Sequence, residues 1–474
     1  MERILNLLLG AETARWLDRF LPFLFVLCAV PVMIFIAIAA PPGQAPDETA
    51  HAIRADSLLH RQFVGWRGAP TKVGDHMEPN SNVMADLGTA TIAWESPSRD
   101  QYYGAAAQAH LRGIPWSGRA MVADVPNTAP YAPFLYVPMA AAEGVMRWLG
   151  HGPYDAFLAE RLTNAATYVL LGAWALFFAR RGKFVLFALL LLPPALWLGS
   201  TLHPDGVMIG LAILAAALLT RAETSRRSLW AAAAALGLVI LARPPVIPLA
   251  LTLLLPLYPQ KDWFRRAIGP FLLASLPALA WMGLVIPRVS VPFSRAENIP
   301  GGPLWHGDPT RLFRMTDPGI QLHILLSHPG RIVTMPLETL LHQWPNTLNE
   351  AFAVVGVLNL VLPQCMFTLG VAALCAGVLA LGRGPANQRW KWLAFIAASG
   401  VILVFDAQYM SWTPVGMALI EGVQGRYFFE FLPFLALLGA ARPARPVLLL
   451  PALTLAMANL VVIPWAVLQA YYVK

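Results

Sequence analysis

The sequence predicts an all-α integral membrane protein, and three observations predict it. Apolar runs long enough to cross a bilayer recur along the chain, hydrophobic residues make up 57% of its 474 positions against 13% charged ones, and the basic residues fall in small clusters between the runs. A mean hydropathy of +0.57 lies well beyond the balance of a soluble domain. The formal charge of +8 would suit a nucleic-acid binder, but the cations form no single patch, so no nucleic acid is expected and they read as topology signals. Cys28, Cys365 and Cys375 all sit in apolar segments, which indicates neither a disulfide framework nor a CxxC metal site.

The first run, Leu21 to Ala40, follows Arg3, Arg15 and Arg19. It exceeds a signal-peptide core and is expected to stay as an uncleaved first helix. Apolar length and basic flanks then place helices at about 20–40, 158–179, 184–200, 206–220, 229–242, 245–257, 267–286, 364–381, 392–409, 425–440 and 447–466, about eleven in all. Arg243-Pro244-Pro245 interrupts one pair, so that pair is expected to turn back as a hairpin. Basic clusters at 180–183, 221–227, 261–266, 383–391 and 442–445 are assigned to the cytoplasmic side, together with the N-terminus.

The segment Tyr131 to Leu149 would invert every later loop if it spanned, so it is expected to lie at the membrane surface, as is 351–363. The whole chain, 1–474, then reads as one polytopic domain with two long external loops, 41–156 and 287–363, carrying juxtamembrane helices.

Candidate chemistry begins just after the first helix. Pro46-Asp47-Glu48 places two carboxylates near the bilayer surface, and on a helix Asp47, His51 and Arg54 would share one face. Helix capping explains the same two acids equally simply, and one carboxylate can do both. Asp205, in the turn His203-Pro204-Asp205, is a second acid on the same side, a divalent-cation ligand with Asp47 or Glu48, or another cap. Arg243 and Arg426 break the cytoplasmic pattern of basic residues, at helix ends where paired donors suit a phosphate; snorkelling or pairing with Glu421 or Glu430 is the plainer reading. Arg161, preceded by Glu160, reads as an internal ion pair or a site residue. No HExxH, P-loop, GxSxG or strand-placed GxGxxG occurs, and His323 and His328 do not share a helical face as a zinc pair would.

Four motifs in order resemble a bacterial predicted-membrane-protein family of unknown function: Pro46-Asp-Glu-x-x-His51, Tyr131-Ala-Pro-Phe-Leu-Tyr136, His203-Pro-Asp-Gly206 and Gly422-Val-Gln-Gly-Arg-Tyr-Phe428. That family is in turn similar to the GT-C glycosyltransferases, multispanning enzymes that use polyprenyl-phosphate sugars. The resemblance implies a GT-C-like bundle in a bacterial inner membrane, with its catalytic loops outside. It maps the external-loop acid onto Asp47 and Glu48. Asp205 would assist; His51, Arg54, His203, Arg243, Arg426 and Tyr427 would bind substrate. The implied partners are a polyprenyl-phosphate sugar donor and an envelope glycan or lipid acceptor, and no cofactor is required beyond a possible divalent cation. A transporter or flippase of a lipid-linked glycan is the alternative. Against it, the sequence displays neither paired halves nor ionisable residues centred in the helices.

Overall fold

The computed structural model describes residues 11–73, 76–97, 101–256, 261–382, 389–440 and 445–473; Arg3, Arg383 and Arg442 lie outside them. The chain enters as α1 (Ala11–Ala39), apolar throughout its second half, and stops where Pro41-Pro42 cannot continue the ladder. A short turn leads into α2 (Glu48–Leu59), most of which is buried despite its polar sequence.

The rest of the first loop departs from an all-α reading. Strands β1 (Trp66–Arg67), β2 (Thr71–Val73), β3 (His76–Glu78) and β4 (Ser81–Asp86) precede helices α3 (Leu87–Glu95) and α4 (Ala105–Arg112), and β5 (Ala120–Asp124) then returns to pair with β4. The resulting antiparallel sheet has the order β1-β4-β5. Val83 and Ala85 of β4, Ala123 of β5 and Ile53 of α2 form a small separate core that also takes Val289 from the second loop. Strands β1 to β3 have only two or three residues and β4 is buried along nearly its whole length, so the sequence carried little sign of them.

The loop closes with α5 (Val137–Trp148), preceded by a 3₁₀ turn over Pro133–Tyr136. Twelve residues span about 18 Å, well short of a ~30 Å hydrocarbon core, so this segment does not cross. Its outer face exposes Val137, Val145 and Trp148.

The bundle continues with α6 (Pro153–Phe178), α7 (Lys183–Leu190), α8 (Pro193–Ser200), α9 (Pro204–Leu219) and α10 (Arg226–Ala242). Pro193-Pro194 breaks the expected 184–200 helix into α7 and α8, which bend by 61°. Helix α9 is the centre: every residue except Leu214 is buried. Close approach explains its glycines, since a Cβ on Gly206 would come within 2.6 Å of Gly199 Cα on α8. The expected reversal after Arg243 occurs, but the returning strand of the hairpin is a 3₁₀ helix, Pro244–Leu253.

Helix α11 (Trp263–Leu284) and the short α12 (Ile286–Val289) lead to the second loop, with strands β6 (Ser294–Pro300) and β7 (Leu312–Met315) and helices α13 (Pro318–Ser327) and α14 (Arg331–Phe352). Segment 351–363, expected along the membrane, is largely a hairpin of β8 (Val354–Val355) and β9 (Leu360–Val361), turned by the left-handed Gly356 and Leu358. Helices α15 (Gln364–Leu379), α16 (Arg389–Ser411) and α17 (Leu450–Tyr471) complete the bundle. The expected 425–440 helix is instead two 3₁₀ stretches, Gly425–Phe428 and Leu432–Leu438.

Among the described residues, Trp16–Ala39, Trp263–Val289, Arg389–Ser411 and Pro446–Tyr471 are long and apolar enough to cross a membrane, with the bent pair α7 and α8 as a fifth candidate. The expectation of about eleven spans is not reached. Helices α9 and α15 have 16 residues each, about 24 Å, and the segments expected at 245–257 and 425–440 are largely 3₁₀.

Candidate functional site

The C-terminal end of α1, the N-terminal turns of α2, α6 and α9, the end of α10 and the 425–430 segment meet at one end of the bundle. The two adjacent acids there go opposite ways. Glu48 is buried: its Oε1 accepts from Arg161 Nε at 2.8 Å and Leu202 N at 3.0 Å, and its Oε2 accepts from Arg161 Nη2 at 2.8 Å and Gly43 N at 2.9 Å. Arg161 also donates to the carbonyls of Ala37, Ala40 and Pro41, the last acceptors of α1. With four bonds made and no exposure, Glu48 is a clamp between α1, α2 and α6, which leaves it no free lone pair for a substrate proton. Arg161 is thus an internal pair, with Glu48 as its partner.

Asp47 is exposed. Its backbone is left-handed, φ 55°, so it stands outside α2 as its N-cap residue without a capping side-chain bond. Oδ1 accepts from Asn127 Nδ2 at 2.6 Å.

The common face of Asp47, His51 and Arg54 is not formed, because Asp47 precedes the helix and Arg54 points elsewhere. Arg54 is fully buried and donates to Ser57 Oγ at 2.6 Å and to the carbonyls of Gln62, Phe63 and Tyr131. It pins the loop.

His51 remains at the site. Its Nδ1 is 2.8 Å from Tyr136 Oη, and its ring meets the edge of His203 with centroids 4.7 Å apart. Burial lowers its pKa to about 4, opposed by the charges of Asp47 and Asp205 and helped by that of Arg426. His203 is the N-cap of α9: its Nδ1 accepts from Asp205 N at 3.1 Å, which puts the proton of the neutral ring on Nε2.

Asp205 anchors an ionic cluster. Its Oδ1 accepts from Arg243 Nη2 at 2.6 Å, and Arg426 Nε lies 3.3 Å from its Oδ2. Arg243 Nη1 donates to Glu430 Oε1 at 2.5 Å, so of the two pairings weighed for the arginines it is Glu430 that is found, while Glu421 pairs with Arg295. Tyr427 lies between the guanidinium groups, 4.7 Å from that of Arg243 and 5.4 Å from that of Arg426. Such buried ions stay charged only when paired.

The two arginines are not equivalent. Arg243 is committed to two carboxylates, whereas Arg426, 7% exposed, is ion-paired through Nε to Asp205 alone, and its Nη1 has no hydrogen-bond partner among the described residues. It lines a cavity with Pro46, Trp197, Leu198, Glu350 and Val355. Glu350 holds the arginine's segment by accepting from Gly425 N at 2.8 Å. A buried guanidinium with an unmet donor at the wall of a mostly apolar cavity suits an anionic oxygen.

For a divalent cation the fit is poor. No group of three or more His, Cys, Asp or Glu side chains among the described residues could hold a metal ion. Glu48 and Asp205 already face arginines. Sequence reasoning missed Asn127, Glu350 and the role of Tyr136 beside His51; only Tyr136 had a signal, as the end of the Tyr131–Tyr136 motif.

Helix ends converging on a buried ionic cluster, with one exposed carboxylate at the rim, define a polytopic membrane protein with a polar site at one end of its bundle. The chain belongs to the DUF2142 family of predicted membrane proteins, whose model matches residues 30–438. No curated protein matches it. Among solved structures it is similar to the crystal structure of ArnT from Cupriavidus metallidurans bound to undecaprenyl phosphate, with 13% identity, 87% of this chain and 76% of that chain covered, and a TM-score of 0.31.

Proposed function

We propose that this protein is an integral-membrane glycosyltransferase that moves a sugar from a polyprenyl-phosphate donor to a cell-envelope glycan or lipid acceptor. One observation carries the reading: buried Arg426, whose Nη1 makes no hydrogen bond among the described residues, lines a cavity with mostly apolar walls, and Pro46, next to the exposed carboxylate Asp47, lines the same cavity. That pairing suits a lipid phosphate beside a hydroxyl that must lose its proton. The acceptor hydroxyl oxygen attacks the anomeric carbon, the bond from that carbon to the phosphate oxygen breaks with its electron pair on the phosphate, and Asp47 takes the hydroxyl proton. Direct displacement inverts the anomeric centre. The departing polyprenyl phosphate gains negative charge, reaching about −1.5 to −2, and Arg426 stabilises it. Arg243 holds Asp205 and Tyr427 in place, and His51 and His203 line the approach.

Positive-inside charge placement supports an inner-membrane protein with a cytoplasmic N-terminus and this site outside, so that loops 41–156 and 287–363 carry the acceptor side. The test is transfer by purified protein from a panel of radiolabelled polyprenyl-phosphate sugars. Asn tolerates the left-handed backbone at position 47, so Asp47→Asn should fold and lose about a hundredfold or more in rate. Unchanged transfer would remove Asp47 as the base.

A second reading has its own observation. Asp406 lies within the span Arg389–Ser411, and its Oδ1 is buried without a partner. An intramembrane carboxylate favours a transporter or flippase of a lipid-linked glycan. Lipid scrambling in vesicles without sugar transfer, lost in Asp406→Asn, would favour that reading.

A further inference from the structure

The end of the bundle remote from Asp47 carries a second concave polar site. Helix α1 runs from Asp18 near this end to Ala39 at the other, and α6 likewise runs from Arg161 to Phe178, so the two sites are separated by the length of those helices. Here the link from α6 to α7 turns at Gly182, left-handed at φ 71°, where a Cβ would come within 2.5 Å of Ala436 Cα. Glycine is required at that position, and it starts α7 with no side-chain cap.

The pocket is lined by Asp18, Arg180, Arg181, Gly182, Lys183 and Phe184. Three of these side chains are cations and one is an anion. Arg181 Nη2 pairs with Glu223 at 3.0 Å, and Glu223 also takes Arg389 Nη2 at 2.8 Å. Lys183 Nζ donates to Asp18 O and Oδ2, both at 2.9 Å, while Arg180 Nη1 donates to Thr224 Oγ1 at 2.8 Å. Arg181 is 8% exposed, and its Nε has no partner. A buried charged donor left unmet in a pocket that also presents the first turn of an uncapped helix calls for an acceptor with several oxygens.

We infer that this pocket binds a phosphate group, held by Arg181 Nε, Lys183 Nζ and the first-turn N–H groups of α7. Basic residues at a helix end are commonly explained as topology signals alone. That explanation leaves the concavity, the uncapped helix and the buried unmet donor without cause. Asp18 opposes the anion, but it is half exposed and able to swing towards solvent, which frees Lys183 for the ligand. The phosphate belongs either to an anionic lipid headgroup or to free phosphate, and both offer the same oxygens.

The test uses full-length protein in a nonionic detergent, with the melting temperature followed while short-chain phosphatidylglycerol or inorganic phosphate is added. The wild type should be stabilised in a saturable way, with half-saturation at least tenfold weaker in both Arg181→Gln and Lys183→Gln. If inorganic phosphate reproduces the stabilisation and competes with the lipid, the site takes free phosphate. If only the lipid stabilises, it is a headgroup site. Absence of any response in the wild type, or the same half-saturation in the variants, overturns the inference. Should Arg181→Gln fail to fold, Lys183→Gln decides alone, because among the described residues Lys183 pairs only with the half-exposed Asp18.

Discussion

Glu48→Gln should unfold the protein at a lower temperature, whereas Asp47→Asn should leave stability almost unchanged. Glu48 accepts four hydrogen bonds, two from Arg161, and both side chains are fully buried. Glutamine keeps the shape but removes the charge and turns one acceptor oxygen into a donor. Arg161 is then a buried cation compensated only by carbonyl oxygens. Breaking a buried pair from one side costs about 3–5 kcal/mol. For 474 residues the unfolding entropy is about 1 kcal/mol/K, so the melting temperature should fall by about 3–5 °C. Differential scanning fluorimetry in detergent measures it. Asp47 makes one side-chain bond, to Asn127, at the surface, and its replacement should shift stability by less than about 1 kcal/mol. A Glu48→Gln variant with wild-type melting temperature and no transfer activity would refute the division of labour and make Glu48 the base.

The buried histidine gives a pH dependence. His51 has a folded pKa of about 4 against an ordinary value near 6.5, so between those limits the unfolded chain binds a proton that the folded chain refuses. Stability should therefore be fully present above about pH 6.5 and fall as pH drops towards 4, by about 3 kcal/mol if His51 acts alone. Melting curves across pH should show this fall reduced in His51→Gln. Arg426→Lys should raise the KM for a polyprenyl-phosphate sugar about tenfold or more, because a point charge replaces the planar guanidinium at the cavity wall. Arg147 binds Asp56 at 2.6 Å and Glu143 at 2.6 Å and stacks on Trp116 at 3.7 Å. Arg147→Ala should cost about 2–3 kcal/mol, less than a fully buried pair because about a quarter of the arginine is exposed, and Glu143→Gln should restore part of the loss in melting temperature.

The helical membrane class was legible because it rests on composition and on runs longer than a helix turn, features that no tertiary contact reverses. The proline pair after Arg243 marked a real break for the same local reason, whereas Pro193-Pro194 breaks a helix that apolar length alone ran from 184 to 200. What the sequence hid depends on pairing across distance. Glu48 finds Arg161 from 113 positions away, and Arg243 finds Glu430 from 187. Neither separation leaves a pattern in a linear reading. The 3₁₀ stretches over Pro244–Leu253 and Leu432–Leu438 were hidden too, since apolar runs of that length look alike in either helix type. Asp205, Arg243, Arg426 and Tyr427, picked out separately along the chain, do meet in space.

Adjacent acids with opposite fates need a local cause, and the backbone at Asp47 supplies it. Had Asp47 joined α2 in a right-handed conformation, its side chain would sit about 100° around the helix from Glu48, on the buried flank beside His51. The left-handed turn at φ 55° takes it out of the helix, so that Glu48 begins the buried ladder while Asp47 faces solvent at the rim. That conformation disfavours most L-residues but is tolerated by Asp and Asn, whose short polar side chains bond locally, as Asp47 does to Asn127. Asp47→Ala should therefore cost stability as well as activity, while Asp47→Asn should cost activity alone. If both variants melt like the wild type, the turn is not strained. If Asp47→Asn loses as much stability as Asp47→Ala, the carboxylate itself, and not only the tolerance of the backbone, holds the turn.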